Sequence, residues 1–193
     1  MTGIDVLRLL LLGSFGNISR RLTELSDDDW DRRAVPGTSK AGFILWHAAR
    51  ILDWTHASIA GVAEVAQRDP WRERFPQEAM FGAGIPESVA DSVTRAVSRT
   101  ETIAYLNDVK TAFLEWFDRQ TPETLEAPVS LRTPAAERAG YLAPAVWEEI
   151  SDLDGIPLWH MLMRPSGGHV RVHQGEFDTL VGLLRTEEAT PRG

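Results

Sequence analysis

An all-α fold, a four-helix bundle with long crossover connections, is what this sequence predicts, on three observations. Apolar residues recur at intervals of three and four over four long stretches, the period of a helix face. Alternating apolar and polar runs and Asn-Gly hairpins, the marks of strands, are absent. Two proline-bearing segments, too long for tight turns, separate the second stretch from the third and the third from the fourth. Bundles with crossover connections are built that way.

The first helix is expected from about Ile4 to Leu25, with Leu7, Leu11, Phe15, Ile18, Leu22 and Leu25 as its apolar stripe. Ser26 and the three aspartates after it end that helix and start a single turn carrying Trp30. Pro36-Gly37 breaks the chain, and Thr38 or Ser39 is placed to cap the second helix. That helix is expected from about Lys40 to Gln67, with Phe43, Trp46, Ile51, Trp54 and Val62 among its apolar positions. From Arg68 to Glu87 the period fails, and the segment reads as a crossover with Trp71, Phe75 and Phe81 tucked against the bundle. A third helix is expected from about Pro86 to Gln120, stopped by Thr121-Pro122. Pro128, Pro134 and Pro144 make residues 123 to 150 mostly loop, with a turn near Val146-Trp147. The fourth helix runs from about Pro157 to Arg185, and Pro165 with Gly167-Gly168 should kink or interrupt it. Residues 1–193 thus read as one domain, with 186–193 as a flexible tail.

A net charge of −8 argues against a nucleic-acid partner, because binding phosphates takes clustered Lys and Arg. No apolar stretch approaches the roughly 20 residues of a membrane span. Leu9 to Leu12 continue a helix face, with Asp5 and Arg8 close before them and no cleavage site after, so they do not read as a signal peptide. The chain has no cysteine, which removes disulfides, Cys-ligated zinc and any protein thiol nucleophile. A cytoplasmic location fits these features.

Five histidines carry the chemistry. His169 and His173 are four residues apart, so on a helix they rise from one face about 5–6 Å apart at Cβ and can share a metal ion. Glu176 returns to within about 20° of His169; it reads first as an exposed helix glutamate, with orienting an imidazole or acting as a base on metal-bound water as the functional alternatives. In the second helix His47 shares a face with Phe43, Ile51 and Trp54 and should point at the core. His56, nine residues on, should face away. His160 reads as a helix-surface or interface residue. His47, His169 and His173 together would give three nitrogen ligands with an open fourth position, the arrangement of catalytic zinc. Imidazole suits zinc, nickel, copper or iron alike, so the ligands leave the metal open; zinc or nickel is the expectation.

Leu25-Ser-Asp-Asp-Asp-Trp30, Ile44-Leu-Trp-His-Ala48 and His169-Val-Arg-Val-His-Gln-Gly-Glu176, in this order, resemble the landmarks of the DinB-like superfamily of bacterial four-helix bundles. The resemblance implies that His47, His169 and His173 bind a divalent metal, with Gly175-Glu176 completing the motif. It also implies a metal-dependent enzyme acting on a small-molecule substrate. Characterised branches are thiol transferases and maleylpyruvate-isomerase-like enzymes that use bacillithiol, mycothiol or glutathione. A transferase that activates such a low-molecular-weight thiol is therefore the first expectation. A hydrolase using metal-bound water, and a non-catalytic metal-binding protein that forms a homodimer through helix faces, are the alternatives.

Overall fold

The computed structural model describes residues 1–189. Its helices are α1 (Gly3–Glu24), α2 (Asp27–Trp30), α3 (Ala41–Ala60), α4 (Trp71–Arg74), α5 (Glu87–Ala96) and α6 (Arg99–Phe117), followed by α7 (Pro122–Leu125), α8 (Pro134–Arg138), α9 (Pro144–Ile150), α10 (Leu158–Met163) and α11 (Val170–Ala189). No strand occurs among the described residues. Four columns, α1, α3, α5 with α6, and α10 with α11, form the bundle, and α3 packs on α6, α11 and α1. The fold is all-α, as the apolar periods require. No helix among the described residues is long and apolar enough to cross a membrane.

The central position of α3 explains its composition. Every residue from Ala41 to Ala57 is buried, so the helix has no solvent-facing side. It ends at Gly61, whose left-handed backbone (φ 66°) suits a residue without a Cβ. The second helix is therefore shorter than its apolar pattern predicts, and Val62 lies outside it, 41% exposed. At the other end, Gly42 lets the α2 turn close on α3: a Cβ there would lie 2.3 Å from the Trp30 carbonyl oxygen. The Trp30 indole donates to the carbonyls of Thr94 and Val97 at 3.1 and 2.8 Å, which ties α2 to the end of α5.

The third column is broken where the sequence reading ran it through. Val97 is extended (φ −122°, ψ 122°), and Ser98 starts α6 with a capping box. Its hydroxyl accepts from Glu101 N at 3.2 Å, and the Glu101 carboxylate accepts from Ser98 N at 2.9 Å. Two otherwise orphaned donors are thus satisfied by residues three apart. The crossover from Arg68 to Glu87 does bury Trp71, Phe75 and Phe81 against the bundle. In the fourth column the expected interruption is a π-helical stretch, Arg164–His169, holding Pro165 and both glycines. Pro165 has no N–H to give to an i−4 carbonyl, and a widened turn accommodates that. Beyond it α11 continues to Ala189, so residues 186–189 of the expected tail are helical, while 190–193 lie outside the described residues.

Candidate metal centre

His47 comes from the middle of α3, His169 from the end of the π-helical stretch and His173 from the first turn of α11. Each offers a ring nitrogen, and the three nitrogens lie within 4.8 Å of one another. The His169 and His173 Nε2 atoms are 2.9 Å apart, so they either share one proton or turn both lone pairs to one cation. The ring centroid of His47 is 4.7 Å from that of His173 and 5.8 Å from that of His169. The structure therefore brings together the three histidines singled out from the sequence.

Two of the rings are oriented by a neighbour. His47 Nδ1 is 2.5 Å from the Phe81 carbonyl oxygen, which can only accept, so Nδ1 carries the proton and the Nε2 lone pair is left for the cluster. The Phe43 ring stacks on His47 at 5.9 Å with an interplanar angle of 7° and limits its tilt. His173 Nδ1 lies 3.0 Å from Glu176 Oε2, an arrangement that leaves its Nε2 for the cluster as well. Glu176 is solvent-exposed but engaged in this way.

Burial, reinforced by the charge that His173 carries when protonated, pulls His47 down to about 3. The same two causes pull His169 down to about 4, although its outer edge is exposed. Both imidazoles are then neutral at neutral pH, the form that binds cations. Three imidazole nitrogens without thiolate or carboxylate among them fit a borderline divalent ion.

Of the other two histidines, His56 is placed differently from expectation. His56 does leave the cluster side of α3, but it does not reach water. It is buried against α6, its ring 5.2 Å from that of Phe113, and burial pulls it down to about 4. On a helix surrounded by others, the face away from the core is another interior. His160 is half-buried and stacks on Trp159 at 5.2 Å, and it lines the same cavity as His169. A widened turn between them shifts the angular register that a continuous helix would have kept.

Sequence reasoning missed Gly82 and the Phe81 carbonyl. Gly82 has φ +97°, and a Cβ there would lie 2.5 Å from His47 Nδ1. The only hint was a glycine pair, Gly82 and Gly84, in a segment read as crossover.

No curated protein matches the chain. The crystal structure of a conserved protein from Enterococcus faecalis aligns with a TM-score of 0.67, covering 95% of this chain and 97% of that one at 14% identity. That likeness concerns the fold. A sequence profile described as DinB superfamily matches residues 13–150, a span that takes in His47 and stops before His169 and His173. Because the match covers well over half of the residues, the chain belongs to the DinB superfamily.

Proposed function

We propose that the chain is a metal-dependent enzyme. His47, His169 and His173 hold one divalent cation, zinc or nickel, which activates a low-molecular-weight thiol for attack on a small electrophile. The observation that carries this reading is the convergence of three imidazole nitrogens within 4.8 Å, beside a cavity of about 500 Å³. Three protein nitrogens and an open position are what a catalytic cation site offers. A divalent cation bound there supplies the positive charge that lets a thiol lose its proton at neutral pH.

The chain's own residues do the positioning. The Phe81 carbonyl and the Glu176 carboxylate fix the tautomers of His47 and His173, so both present Nε2. That role occupies the carboxylate which a hydrolytic mechanism would need as its base, and it favours thiol over water as the nucleophile. The chain has no cysteine, so the thiol comes from outside. Such thiols are kept reduced in the cytoplasm, which is where this reading locates the protein.

The test uses zinc-loaded and nickel-loaded protein with glutathione, mycothiol and bacillithiol in turn, and monochlorobimane as electrophile. Chloride leaves as the thioether forms, and fluorescence reports the product. Conjugation is expected with one of the thiols, at a rate that chelation returns to background. If no thiol reacts faster than with the chelated protein, the transferase reading fails.

Gly82→Ala is the matching structural prediction. The added Cβ must displace the His47 ring or the carbonyl that orients it, in a backbone conformation that L residues rarely adopt. Zinc affinity is expected to fall by about 10–100-fold, as when a ligand's orienting partner is lost. A competition titration against a chromophoric chelator measures it, with helicity by circular dichroism unchanged.

A further inference from the structure

We propose that the cavity beside His169 binds an uncharged, flat aromatic molecule. That this molecule is the electrophile of the reaction rests on the reading above; that it binds does not. The cavity, about 500 Å³, lies within the size range of small-molecule sites. Its walls include Ile51 and Trp54 from α3, Phe81 from the crossover, and Trp159 and Met163 from α10. Trp54 and Phe81 stack on one another at 5.2 Å with an 18° interplanar angle. Trp159 stacks on His160 at the same separation and 19°. Two rigid aromatic pairs around one cavity offer faces for offset or edge-on packing of a third ring system, at small entropic cost. His169 on the same wall puts any occupant beside the three-histidine cluster.

The charges decide between neutral and anionic ligands. Glu149, Asp152 and Arg164 also line the cavity. Arg164 Nη1 donates to Asp152 Oδ2 at 2.6 Å, so that cation is already matched by a carboxylate. With Glu149 added, the formal charge of these three side chains is negative. A carboxylate ligand would have to compete with Asp152 for Arg164 and lie near a second acid. An uncharged ring system meets neither obstacle, and the apolar walls favour it.

Two probes on one ring system, methyl naphthoate and naphthoate, one neutral and one anionic, test this on metal-free protein, where no cation can capture the carboxylate. Calorimetry and quenching of tryptophan fluorescence read the binding. The ester is expected to bind at least about tenfold more tightly than the acid. Trp159→Ala should weaken the ester by about three- to tenfold, the range for one aromatic pair. Asp152→Asn, an exposed change that leaves the fold alone, should strengthen naphthoate several-fold and shift the ester less than twofold. Equal or tighter binding of naphthoate in the unaltered protein overturns the proposal. So does ester affinity that is indifferent to Trp159→Ala, or naphthoate affinity that is indifferent to Asp152→Asn. These probes bind without metal or thiol. A failed conjugation assay therefore leaves this result standing, and the reverse also holds.

Discussion

Arg50→Met is expected to lower the free energy of unfolding by about 3–5 kcal/mol, the cost of removing one partner from a buried ion cluster. Arg50 lies in the core of α3, and all five of its N–H groups are used. Nε donates to the Met80 carbonyl at 3.0 Å. Nη1 donates to Asp53 at 3.1 Å and Tyr105 at 3.0 Å, and Nη2 to Glu64 at 2.9 Å and Tyr141 at 3.5 Å. The acids have partners of their own. Asp53 accepts from Val65 N and Ala66 N, both at 2.9 Å, and from the Tyr105 hydroxyl at 2.7 Å, while Tyr141 donates to Glu64 at 2.6 Å. Burial already pushes the Glu64 carboxyl up against the pull of Arg50. Without the guanidinium, two buried carboxylates face each other with no cation between them. Methionine keeps much of the volume, so packing loss is secondary. Denaturant unfolding monitored by circular dichroism measures the effect. Adding Glu64→Gln should recover part of it, because the stranded charge is then gone. A single variant within about 1 kcal/mol of the unaltered protein would mean that the cluster contributes little, as exposed pairs do. The cluster also reaches the metal centre: Arg50 anchors Met80, one residue before the carbonyl that orients His47. Zinc affinity should therefore fall with stability in Arg50→Met.

That coupling was hidden in the sequence, whereas the ligands were not. His169 and His173 stand out because helical period alone puts positions four apart on one face. His47 stands out because it interrupts an apolar stripe. Arg50, Asp53 and Glu64 look like ordinary helix charges until Tyr105 and Tyr141, far along the chain, are folded against them. His56 was read as outward because angular arithmetic knows one core, and α3 has neighbours on every side. The break before α6 was written in Ser98-Arg-Thr-Glu101, but Val89, Val93 and Val97 keep their apolar period right up to it and Leu106, Val109 and Phe113 resume one beyond it, which masked the cap. Gly82 carries no period at all. Its meaning is a distance to His47, and distances between crossover and helix are set by tertiary packing.

His173→Ala should reduce zinc affinity by more than about a hundredfold, beyond the 10–100-fold typical of losing an orienting partner. It removes a donor outright and leaves two nitrogens, of which His169 no longer has the neighbour 2.9 Å away that shaped the pair. The fold should tolerate the change, because the side chain is 17% exposed at the edge of the bundle and makes no core contact comparable to those of Phe177 or Leu180. Glu176→Gln is the control that gives the prediction its edge. Its amide oxygen can still accept from His173 Nδ1–H, so geometry survives while the negative charge is lost. Its affinity loss should lie at the low end of the same 10–100-fold range. Elemental analysis of each protein as purified, followed by chelator competition, ranks the variants. Equal metal content in His173→Ala and the unaltered protein would remove His173 from the ligand set. A larger loss in Glu176→Gln than in His173→Ala would move the cation from the imidazoles to the carboxylate. The two substitutions are three residues apart on one helical face, so their order, more than either magnitude, locates the ion.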